Sequence, residues 1–200
     1  MITPGEEKAW EILVGLDPSG ICRNASVAYE EVRHSYIVRS FCYDFSVSPE
    51  DRIISSASPK GENLIRKYPY FFIHSCLWYL IHAKDIAKTG RLVRPGDIQG
   101  GELYFRGSHV LPLDSLAKRY AEDKQAFLKK GVELCADVAD YGDASMRLLP
   151  MPKIPATLVL WLQDDEFPAR ADLLFDSSCG LQVPVDIVWS IAMMTIMVAL

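Results

Sequence analysis

The spacing of apolar positions changes several times along the chain, and each change marks a different element. Trp10, Leu13 and Val14 fall on one stripe at helical spacing. Thr3 stands where a cap is needed and Pro4 suits a first helical turn. Glu6 and Glu7 favour the positive end of the helix dipole. Asp17, Pro18 and Gly20 end this helix, and a short one is predicted at 21–25. The period then drops to two. Tyr36, Val38 and Ser40 alternate with Ile37, Arg39 and Phe41, and Tyr43, Phe45 and Val47 continue the pattern. That predicts a small antiparallel meander with "SPED" as its turn.

The longest helical candidate covers 70–88, entered at Pro69 and closed by Gly90. It is apolar nearly all round, so it belongs at the centre. A Gly/Pro-rich connection follows, with a short strand predicted at 102–105. "PLDSLAKRYAEDKQAFLKKGVELC" reads as one or two amphipathic helices, with Asp114 or a neighbour as cap. Two strands lie around the prolines of "DASMRLLPMPKIPATLVLW", and 172–175 joins them in a second meander. Residues 186–200 make a closing helix. Helices and strands in separate runs imply an α+β fold. The expected architecture is two antiparallel meanders packed with a central helix and a C-terminal helix, in one domain over 1–200.

Composition narrows the function classes. The 200 residues are 50% hydrophobic and 24% charged, ordinary globular usage, with a core large enough to need no staples. A net charge of −5 and the lack of a basic stripe with interleaved aromatics argue against a nucleic-acid partner. The opening residues lack a basic and then apolar signal pattern, and the apolar closing segment is short of the roughly 20 residues a span requires, so no membrane partner is expected. Cys22, Cys42, Cys76, Cys135 and Cys179 include no C-x-x-C. Neither a metal site nor an iron–sulfur cluster is expected from such spacing, and the cysteines read as reduced small hydrophobes in a cytoplasmic protein.

Several clusters could still carry chemistry. In "WLQDDEFPARADLLFD" three acids interrupt two apolar runs. The spacing is wrong for a calcium loop, so 164–168 reads mainly as a solvated hairpin loop, with Glu166 and Asp176 as ligand candidates. His74 and His82 stand eight positions apart on a helix, about 12 Å along its axis, too far to share a metal. In "GGELYFRGSH", Gly100 and Gly101 permit unusual backbone angles or close approach. Arg106 offers a planar fork for an anion and His109 a switchable proton. Asp143 could cap, pair with Arg147 or face a pocket. Met193, Met194 and Met197 give the last helix an adaptable face suited to the core or to a homodimer contact.

"AWEILVGLDPSGICRNA", "GGELYFRGSH", "DASMRLLPMPKIPATLVLW" and "DDEFPARADLLFD" together resemble the family grouped as domain of unknown function 3786. The resemblance implies an anaerobic bacterial or archaeal setting. Some members carry a cysteine-rich iron–sulfur segment that this chain lacks, so that label does not transfer. The recurring phrases raise Arg106, His109, Glu166 and Asp176 as candidates, without assigned roles. Two functions follow as expectations. The first is a non-catalytic small-molecule-binding or accessory protein of anaerobic cofactor or redox metabolism, with a small anionic ligand. The second is an enzyme on a small anionic substrate, with Arg106 holding the anion, His109 as acid/base, and Asp143 or Asp176 orienting it.

Overall fold

The computed structural model describes residues 3–200. Helix α1 (Pro4–Val14) starts as its sequence dictates: Thr3 is extended and its hydroxyl accepts the Glu6 N–H at 3.2 Å. Asp17 caps α2 (Pro18–Ala25), accepting the Gly20 N–H at 2.9 Å. The first meander is a four-stranded antiparallel sheet in the order β1 (Ala28–Glu30), β2 (Ser35–Ser40), β3 (Tyr43–Ser48), β4 (Ile53–Ser55). Two helices, α3 (Pro59–Lys67) and α4 (Pro69–His82), follow it.

The second sheet has five antiparallel strands. They are β5 (Leu92–Val93), β6 (Asp137–Ala139), β7 (Ala144–Met151), β8 (Ile154–Trp161) and β9 (Arg170–Asp176), in spatial order β5-β9-β8-β7-β6. Helices α5 (Gly101–Tyr104), α6 (Leu113–Arg119) and α7 (Lys124–Glu133) lie between β5 and β6 in the chain. A short α8 (Cys179–Gln182) and the closing α9 (Val185–Ala199) complete it. This is the α+β class expected. Strand β8 is central and buried on both faces along most of its length, which accounts for its unbroken apolar run.

Helices α4 and α9 pack together in the core. The first sheet is tied to the second where the β2–β3 turn meets β7. The Phe41 N–H donates to the Leu149 carbonyl at 3.0 Å, and the Ser40 hydroxyl donates to the Pro150 carbonyl at 2.7 Å.

Two expectations need correction. Helix α4 stops at His82, well before Gly90, because tertiary partners take its next backbone groups. The Lys84 N–H donates to the Gln182 side chain at 2.8 Å, and the Lys153 ammonium donates to the Lys84 carbonyl at 3.0 Å. Residues 102–105 are not a strand: 101–104 form one helical turn, on which Glu102 and Arg106 pair at helical spacing, 3.1 Å apart. The closing helix takes the core alternative: Ile187, Val188, Ile191, Met194 and Ile196 of α9 are buried within the chain, and Met193 and Met197 are half-buried.

Candidate functional site

The residues singled out in the sequence go to separate places. Arg106 is exposed and paired with Glu102. The His109 ring stacks on Tyr104 with centroids 4.3 Å apart and meets the edge of Trp189 at 5.0 Å. Its carbonyl accepts the Trp189 indole N–H at 3.0 Å. Asp143 takes the Leu162 N–H at 2.8 Å and so fastens the β6–β7 turn to the end of β8. Its potential partner Arg147 pairs with Asp137 instead, at 2.9 Å.

Glu166 is exposed in the β8–β9 loop. Asp164 organises that loop by accepting the Glu166 and Phe167 N–H groups at 2.9 and 2.7 Å. The three acids thus face solvent on a hairpin, the larger part of what their sequence implied. Asp176 lies at the far end of β9 from Glu166 and is 3% exposed. Both of its oxygens are used: Oδ1 accepts from the Thr89 N–H and hydroxyl and the Ser178 N–H and hydroxyl, and Oδ2 accepts the Gly90 N–H at 2.7 Å. The fold therefore does not bring Arg106 and His109 together with Asp143 or Asp176 around one reacting atom.

His74 and His82 belong to a ladder on α4, in which His74 stacks on Tyr70 and His82 on Trp78. Burial lowers the pKa of both imidazoles, against the pull of the Asp186 carboxylate. Among the described residues, no group of three or more His, Cys, Asp and Glu is placed to hold a metal.

A cleft that no local motif announces lies between α3 and α7. Its volume is about 300 Å³. Lys60 and Lys67 come from the first and last turns of α3, and Lys130 from the last turn of α7. Asn63, Tyr43 and Tyr68 add polar groups, and Glu133 is the one acid in the wall. Tyr68 is fixed by donating its hydroxyl to the Met197 carbonyl at 2.7 Å, and Tyr43 by donating to the Glu133 carbonyl at 3.3 Å. Burial pushes the half-buried Lys130 ammonium below its ordinary pKa. The charges of Lys67 and Arg119 add to this and Glu133 opposes it.

Two wider grooves differ in sign. One, on the first sheet, carries Arg33 against Asp44 and Asp51. The other, on the second sheet, carries Lys88 and Arg147 against Asp137, Asp140 and Asp176. Each has more acids than bases, so the α3–α7 cleft is the basic one of the three.

The family model described as Domain of unknown function (DUF3786) matches residues 17–198. The chain belongs to that family. The DUF3786 match takes in both sheets, the lysine cleft and all five residues first singled out. No curated protein and no solved structure matches the chain.

Proposed function

We propose that this DUF3786 chain is a non-catalytic binding or accessory protein for a small anionic molecule, held in the α3–α7 cleft. The observation that carries this reading is the convergence of Lys60, Lys67 and Lys130 on one small cavity in a chain of net charge −5. Like charges brought together raise the energy of the empty site, and an anion removes that cost. Lysine supplies point charges on flexible stems, which suits a phosphate or carboxylate more than a planar fork would require. The two tyrosines give the walls an apolar body with polar tips.

The test is calorimetric titration with inorganic phosphate and with succinate, at low and high salt. Saturable binding of at least one probe is expected. Lys130→Met should weaken it about tenfold or more, and Arg106→Ala should leave it unchanged. Added salt should weaken it too. Absence of saturable binding, or affinity indifferent to both Lys130→Met and Lys67→Met, would overturn the reading.

A further inference from the structure

The five cysteines are widely separated in sequence, yet the fold joins the loops that carry two of them. Cys42 lies in the β2–β3 turn and Cys135 in the loop between α7 and β6. The Tyr43 hydroxyl, on the residue after Cys42, donates to the carbonyl of Glu133, two residues before Cys135. That bond holds together the two loops on which Cys42 and Cys135 sit. Cys135 is exposed and Cys42 is half-buried.

The backbone adds a second, independent observation. Phe41 and Cys42 are the two central residues of a tight hairpin, with φ of 46° and 67°. Such turns strongly prefer Asn-Gly, because both positions need positive φ. Phe41 has a packing reason to be there, since its ring is fully buried. Cys42, in the glycine position, has none of that kind. Cys135 has φ of 53° and follows the end of α7. The Cys135 N–H donates to Val132 at 3.1 Å and the Ala136 N–H to Gly131 at 2.9 Å. This is the helix ending in which glycine is the usual left-handed residue. Two cysteines thus occupy two places where glycine is the default, on two loops that the Tyr43–Glu133 bond joins.

We propose that Cys42 and Cys135 form a redox-active dithiol that a small-molecule disulfide converts into a disulfide linking the two sheets. The exposed Cys135 thiol gives up its proton and its sulfur attacks one sulfur of the oxidant R–S–S–R. The S–S bond breaks and R–S⁻ leaves with that proton. Cys42 then loses its proton and attacks Cys135 Sγ in the mixed disulfide, and the second R–S⁻ leaves with it. Two protein thiols and one R–S–S–R become one protein disulfide and two R–SH. The product joins the β2–β3 turn to the α7–β6 loop and closes a loop of about 90 residues, the kind of cross-link that constrains the unfolded chain most.

Burial, then the Cys135 hydrogen bond and charge, push the Cys42 thiol up to about 11. Cys42 therefore gains little from ionisation in the reduced form, a condition that favours the disulfide. The cleft of the preceding proposal shares Tyr43 and Glu133 with this corner, but the dithiol does not depend on an anion binding there.

The experiment uses the full chain, equilibrated with oxidised and reduced glutathione at varied ratios. Peptide mapping and thiol counting follow. A Cys42–Cys135 linked peptide is expected, with the other three thiols still free and a Tm higher by about 10 °C in the oxidised form. Cys42→Gly and Cys135→Gly suit the local backbone and should fold. Each should abolish the linked peptide and the shift. Cys135→Gly should also leave Cys42 without a glutathione adduct, whereas Cys42→Gly should trap the adduct on Cys135. Cys22→Ser should behave as wild type. The proposal is overturned if all five thiols stay free, if the adduct on wild-type Cys135 is never resolved, or if either cysteine pairs elsewhere.

Discussion

Asp176 stands where a carboxylate is expensive, almost out of reach of water, and the five hydrogen bonds it accepts explain why it stays charged. Burial by itself would raise its pKa. The Ser178 hydroxyl and the N–H groups of Thr89, Ser178 and Gly90 more than reverse this, so the group titrates well below the usual carboxylate range. Three of those donors lie in the extended segment after α4, so the residue pins that segment to the end of β9. Asp176→Asn keeps one acceptor oxygen but loses the charge that strengthens every bond, and should cost about 2–4 kcal/mol. The sign with pH follows from the lowered value. The wild-type advantage is fully present above the ordinary carboxylate pKa, near 4, and is lost as pH falls below it toward the folded value. Urea titrations of both proteins at pH 7 and near pH 3 check this. A gap between them that is the same at both pH values would contradict the role. The sequence made Asp176 a candidate because an acid closed an apolar strand. Its Ser178 partners are local and could have been suspected from "DSS", but Thr89 and Gly90 come from the far side of the fold and could not.

Elements whose burial and local chemistry agree were readable, and those decided by distant partners were not. The Thr3 cap, both meanders and the β8–β9 hairpin follow from residues within a few positions, whereas Asp17, read as the end of the first helix, also caps α2, which takes in Pro18 and Gly20. The "ELYF" run looked like a strand because its apolar residues gave too short a window to fix a period. Its helical turn is imposed by the two glycines before it. Gly100 has φ of 79°, and a Cβ on Gly101 would lie 2.2 Å from the Pro95 carbonyl oxygen, a backbone atom that cannot swing aside. Two adjacent glycines are compatible with either role, unusual angle or close approach, and the residues around them do not say which glycine takes which. Gly101→Ala should therefore cost more than Gly100→Ala, about 3 kcal/mol or more against about 1. Thermal melts of the two variants give the order. Equal or inverted costs would mean that the chain around Pro95 yields more easily than its packing implies.

At the scale of the molecule, net charge concealed a local reversal. An overall −5 says nothing of three lysines gathered from α3 and α7, just as five scattered cysteines gave no sign that the loops of two would be joined. The closing helix shows the opposite case, where composition alone forces the outcome. So apolar a segment has no solvated face of useful width, and the structure gives most of α9 to the chain's own core, leaving the stripe of Trp189, Met193 and Met197 half-buried. Ten of its residues are buried, and the Tyr68 and Tyr120 hydroxyls cap the carbonyls of Met197 and Ala199 at 2.7 Å each. Burying one Ile, Val or Met side chain is worth roughly 1.5–3 kcal/mol, so losing the helix removes more than the roughly 5–15 kcal/mol of a typical domain can absorb. A chain ending at Pro184 should be unfolded or aggregated. Ile191→Ala, which opens a cavity without removing the helix, should still fold while losing about 2–5 kcal/mol. Because the burial is internal, the Tm of the full chain should not change with protein concentration, as it would if a second copy covered this face. A truncated chain that stays soluble and melts with the full one, or a Tm that climbs with concentration, would place α9 outside the core.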